Sequence, residues 1–267
     1  MQSRHISLKS FKISQVYCVL KAYIDESYDN FTMCVGGWLC DERAWNRIEN
    51  KWTARIEHER RMSIRRGEEP ILRYHATDCA NLKRQYATWT IDRQIRFTKR
   101  LIGILGSESR PRPVGIAAGL SMRELRAVRP DLSAIEIKRK AYFLCMCECL
   151  LHIGAIMDGL FPTERVMIIH DRSLDFDHQA LSAFNDMLAS RKFRRAHYFV
   201  SIAAGSSKDF LALQPADLIA YEGFKLTAAR KRGSEELRKS LQKVLGHGII
   251  ISAGFFEDHG LKELCGG

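Results

Sequence analysis

The chain has 267 residues, 46% of them hydrophobic, with a formal net charge of +11 and a pI near 9.4. Enough apolar side chain is present to build a core, which excludes a disordered protein. So basic a balance points to an anionic partner, most often nucleic acid.

No apolar run reaches the length of a membrane span. Lysines 9, 12 and 21 interrupt the N-terminal apolar patches, so residues 1–15 are expected to be a flexible leader and not a signal peptide. The next residues predict a β-hairpin. An apolar run ends abruptly in Asp25, Glu26 and Ser27, a polar turn follows, and residues 31–40 form a second apolar run. Buried strands do not end in paired carboxylates for packing reasons, because adjacent acids repel unless something offsets the charge. Asp41 then caps a helix to about residue 66, with Ala44, Trp45, Ile48, Trp52 and Ile56 on one face. A short extended piece, 71–78, carries Tyr74 and His75, and 82–86 is a loop or short turn. Thr90 opens a helix to about 105. Arg110 to Pro113 is a rigid connector, and 114–121 is a strand of small residues.

The long helix 134–158 is apolar nearly all round, and so buried. The chain's eight cysteines include no Cys-x-x-Cys pair. On that helix Cys145, Cys147 and Cys149 point in different directions, so they cannot share one metal. They read as small apolar side chains in a reducing, cytoplasmic setting. A strand, 165–171, ends in Asp171. A helix, 176–191, exits into the basic run Arg191, Lys192, Arg194 and Arg195. After a strand at 197–203, Gln214 and Pro215 open a helix that carries Asp217 in its first turn. Other basic runs lie at 60–66 and 230–232. The tail from about 234 holds one short helix. With no internal repeat and no low-complexity linker, residues 16–267 read as one domain with a C-terminal extension.

Asp25 and Asp171 end strands, and Asp217 begins a helix after a strand. In an open α/β sheet such positions share the carboxyl edge where ligands gather. Carboxylates brought together there need a counter-charge, and Mg²⁺ or Mn²⁺ suits an all-oxygen set. Such ions can activate water against a phosphodiester. The segments around Asp25–Glu26–Ser27, Tyr74–His75–Ala76, Asp171, and Leu213 to Tyr221 together resemble the family catalogued as domain of unknown function 3800, over residues 20–230. The resemblance implies an RNase H-like α/β fold, a mixed sheet flanked by helices on both faces. It also implies site roles for Asp25, Asp171 and Asp217 with Glu26 and His75 beside them. The sequence departs from the family pattern at Tyr28–Asp29 and at Pro215. Gln214 and the run Arg191, Lys192, Arg194 and Arg195 are candidates for holding substrate. Glu148, on the long helix, is a further candidate ligand, and His170 is expected to pack. The leading expectation is a metal-dependent nuclease acting on DNA or RNA. The alternatives are a non-catalytic nucleic-acid-binding module and a small-molecule phosphohydrolase.

Overall fold

The structure, a computed structural model, describes residues 19–107, 112–234, 236–247 and 249–256. The leader 1–15, Cys18, Arg110, Pro111, Cys265 and the end of the tail lie outside the described residues. The hairpin forms as its pattern predicts. β1 (Val19–Tyr28) and β2 (Thr32–Cys40) pair antiparallel, with Asp25 opposite Gly36. Asp29 closes the turn, its carboxylate accepting from the backbone N–H groups of Phe31 and Thr32 at 2.8 Å.

Four more strands complete a six-stranded mixed sheet in the order β5-β4-β1-β2-β3-β6. They are β3 (Val114–Ser121), β4 (Arg165–Asp171), β5 (Phe199–Gly205) and β6 (Ile251–Phe255). Only β2 runs against the others, since β4 is parallel to β1, β5 to β4 and β6 to β3. The tail, for which no sheet role is predicted, thus supplies an edge strand.

Helices cover both faces. On one side lie α4 (Met122–Val128), α5 (Ala134–Leu160) and α6 (Asp177–Ala189), packed on Ala22, Ile24 and Val35. On the other lie α1 (Glu42–Arg65), α3 (Ile91–Gly106), α7 (Leu213–Arg230) and α8 (Lys239–Gly246), against Tyr23, Cys34 and Trp38. A one-turn helix, α2 (Ala76–Ala80), starts at His75. Asp41 and Thr90 cap α1 and α3 as their types predict. Neither α2 nor α4 is legible beforehand, because five and seven residues are too few to show a helical period.

α5 corrects one expectation. By length and mean hydropathy it would pass as a membrane span. In the fold it lies on the sheet, with Tyr142, Cys145, Cys149 and Ile153 fully buried. A capping box opens α5, with Ser133 and Glu136 bonded reciprocally.

Close approach of α7 to the sheet depends on small residues. A Cβ on Gly36 would sit 3.1 Å from the backbone of Ala220, and one on Gly223 would sit 2.6 Å from the Cys34 sulfur. α7 therefore lies directly across β1 and β2, and every residue from Leu213 to Phe224 is buried. Trp38 fastens its first turn by donating its indole N–H to the Pro215 carbonyl at 2.8 Å.

Candidate active site

In the parallel pairing of β1 with β4, Ile24 stands opposite His170. The next residues are Asp25 and Asp171, on adjacent strands at one edge. Side chains repeat every two residues along a strand, so these acids share the face of Tyr23 and Ile169, which belong to the α7-side core. Neighbouring strands are about 4.8 Å apart. The first turns of α7 bring Asp217 to the same edge. Glu26 alternates toward the α5 side by the same period, yet it lines the cleft too, next to the strand end. Asp25, Glu26, Asp171 and Asp217 line one cleft of about 280 Å³, with Arg73, His75 and Gln214 in the same wall.

The far wall is an irregular segment, residues 71–76, held from two sides. Gln85 takes the Leu72 N–H at 2.9 Å and donates to the Arg73 carbonyl at 2.5 Å, and the Tyr86 hydroxyl adds a 3.0 Å bond to that carbonyl. From α7, Gln214 Oε1 accepts from Tyr74 N at 2.9 Å and from the Trp52 indole at 3.2 Å. Asp217 Oδ2 accepts from Ala76 N at 2.7 Å. Buried backbone donors need partners, and here the side chains of α7 supply them. Gln214, a candidate for holding substrate, thus has its amide oxygen committed to positioning the wall.

The cleft is strongly acidic and poorly solvated. Burial, then the charges of Asp217, Glu26 and Asp171, push Asp25 well above the usual carboxylate range. Burial, with Asp171 and Asp217, raises Glu26 to about 8. Burial raises Asp217 to about 6, opposed by His75 and the Ala76 N–H. Asp171 is also raised by burial, and the Ser207 and Arg172 N–H groups and the Arg73 charge pull it back. Glu26 Oε2 is buried with no hydrogen-bond partner. Crowded carboxylates with an unpartnered buried oxygen fit a hard divalent cation in donor chemistry. Among the described residues no three His, Cys, Asp or Glu side chains stand as a ready cage.

His75 caps α2, and its Nδ1 lies 2.9 Å from Asp78 Oδ2. The Asp78 backbone N–H is 3.4 Å from the same nitrogen. The backbone contact needs a lone pair on Nδ1 and the carboxylate contact needs a proton there, so the two belong to different proton placements on the ring. Arg73, which sequence reasoning missed, donates to the Ser207 hydroxyl at 3.1 Å. With His75, Ser207 and Gln214 it also lines an adjoining groove of about 550 Å³ that contains Lys208 and Arg84. Its only signal in the sequence is its place one residue before Tyr74.

The basic run expected at the substrate is elsewhere. β5 begins with Phe199 opposite Val166 and ends with Gly205 opposite Asp171. Arg191, Lys192, Arg194 and Arg195 precede β5, so they occupy the opposite sheet edge, roughly 20 Å from the acids at 3.3 Å per residue. Arg195 is paired with Asp158 there. The reason is topological: in parallel strands the residues before a strand and those after it lie at opposite edges. Glu148 is likewise outside the cleft, 3.2 Å from His152 Nε2, and His152 Nδ1 meets Ser252 of β6 at 2.6 Å. His170 is buried, with Nδ1 3.0 Å from the Asp171 carbonyl.

No protein-family model matches the chain, and no curated protein is similar to it.

Proposed function

We propose that this protein hydrolyses phosphodiester bonds of nucleic acid with Mg²⁺ or Mn²⁺, on an RNase H-like fold of the kind its resemblance to domain of unknown function 3800 implies. One observation carries the reading: Asp25, Glu26, Asp171 and Asp217 meet in one buried cleft at the carboxyl edge of parallel strands. Such a cluster raises the free energy of the empty site, and a divalent ion relieves it. Asp25, Asp171 and Asp217 would hold the metal, with Glu26 Oε2 as a further oxygen. Bound there, the ion would supply a more acidic water and positive charge for the phosphoryl oxygens.

The remaining work falls to the chain's own groups. The His75 imidazole, which lines the cleft, can take a proton from the attacking water or return one to the leaving oxygen. The water forms one P–O bond while the bond to the leaving oxygen breaks, giving a phosphate end and a hydroxyl end. The Arg73 guanidinium can hold a non-bridging phosphate oxygen. Lys208 and Arg84 offer positive charge along the adjoining groove, where the next stretch of backbone would run.

The test is cleavage of a panel of DNA and RNA strands and duplexes, with Mg²⁺, with Mn²⁺ and with chelator. Wild-type cleavage should need metal, and Asp25→Asn should cut at least about 100-fold more slowly, since charge placed at the reacting centre is worth several kcal/mol. Equal cleavage by the variant would remove Asp25 from the mechanism.

A further inference from the structure

A second concave site lies between α1 and α3, outside the acidic cleft. Its volume is about 350 Å³, and its walls include Arg55, Arg66, Arg93, Arg96, Arg100 and His58. The spacing explains the crowding. Arg93, Arg96 and Arg100 recur at intervals of three and four on α3, which places them on one helix face. Arg55 belongs to the facing side of α1.

The acids in this pocket are Glu59 and Glu68, and both are already engaged. Arg93, only 8% exposed, bonds Glu59 at 3.2 Å and Glu68 at 2.5 Å. Arg55 also pairs with Glu59. An internal ionic tie between α1 and α3 accounts for these four side chains. It does not account for Arg66, Arg96 and Arg100, which make no ion pair or side-chain hydrogen bond among the described residues. Nor does it satisfy Arg55 Nε, which is buried without a partner. Burial lowers the Arg55 pKa, its pairing with Glu59 opposes this, and the Arg100 and Arg93 charges lower it further. Like charges at helical spacing destabilise unless an anion joins them.

We propose that the arginine pocket between α1 and α3 is an anion-binding site that takes phosphate groups. Its ligand chemistry is that of a phosphodiester backbone or a free polyphosphate, both of which present oxygens to guanidinium forks. The site stands whether or not the acidic cleft cleaves anything.

The experiment compares wild type with Arg96→Ala/Arg100→Ala, whose side chains are exposed and unpaired, so the fold should hold. A charge-matched control is Arg191→Ala/Lys192→Ala. The probes are tripolyphosphate, read by thermal shift, and fluorescein-labelled single-stranded DNA and RNA, read by anisotropy in chelator at several salt concentrations. The pocket variant should lose roughly 10-fold in oligonucleotide affinity, and its salt slope should shrink by about 1.4 if two backbone contacts are removed, while the control changes little. Loss of the tripolyphosphate shift alone would assign the pocket to a free polyphosphate. Unchanged response to both probes would overturn the proposal. So would an equal loss in the control, since bulk surface charge would then suffice.

Discussion

A carboxyl buried beside three others gives up its proton reluctantly, which is why Glu26 stands at about 8 against an ordinary 4.5. The raised value fixes the sign of a pH effect. The folded state holds the Glu26 proton more tightly than the unfolded chain, so this contribution to stability is complete below about pH 4.5 and is lost as pH rises through about 8. Asp217 acts in the same direction over the narrower window from 3.8 to about 6. In chelator, Glu26→Gln should melt close to wild type near pH 5 and higher than wild type, on the order of 5 °C, near pH 8. A melting difference that is flat across this range would remove Glu26 from the charged cluster. Asp25→Asn removes one unit of repulsion, so without metal it should be as stable as wild type or slightly more so. Added Mn²⁺ should raise the wild-type melting temperature and leave the variant nearly unmoved, because stabilisation by a ligand requires its native site. Equal shifts in both proteins would place the bound ion elsewhere.

At the scale of elements, α7 both carries Asp217 and holds the opposite wall. Gln214→Ala would leave the Tyr74 N–H and the Trp52 indole N–H buried without an acceptor. At about 1–3 kcal/mol for each of the two orphaned donors, urea unfolding should report a loss of roughly 2–6 kcal/mol. Gly36→Val pushes a side chain against the Ala220 backbone, 3.1 Å from the new Cβ. It should cost about 1–3 kcal/mol and also weaken metal binding, since α7 must move off β2. An unfolding curve indistinguishable from wild type would show that α7 can be displaced freely. The sequence exposes part of this element. Pro215 and the apolar run after it announce a helix, and the acid in its first turn is visible. The bonds from Gln214 and Asp217 to residues 74 and 76 are not visible, because they join backbone groups about 140 positions away in the chain.

Across the whole molecule the excess positive charge is spread over separate surfaces. The run at 191–195 lies at the sheet edge away from the acids. Residues 230–232 follow the far end of α7, roughly 20 Å from Asp217 at 1.5 Å per residue. Arg66 lines the pocket between α1 and α3, and Arg73 lies beside the acids. On the proposed reading, a polyanion at the cleft would meet Arg73 there and Arg84 and Lys208 in the adjoining groove. Oligonucleotide affinity should therefore fall by at least about 10-fold between 50 and 200 mM salt, as neutralised phosphates give up their counterions. A binding curve unaffected by salt would exclude a phosphate backbone as the main contact.

What the sequence determined by itself was local. Alternation and capping fixed the hairpin, the strand ending in Asp171, and the helices begun by Asp41 and Thr90, because those patterns act over one or two turns or along one strand. The acids at strand ends were readable for the same reason. Tertiary structure alone decided which charges share a surface. Parallel pairing of β1 with β4 sets Asp25 beside Asp171, and the same parallel direction sends residues 191–195 to the opposite edge. Arg73 enters the cleft because Gln85, Tyr86 and α7 fix the irregular segment that carries it. Strand order and the anchoring of irregular backbone depend on contacts between distant residues, and these leave no period in the chain.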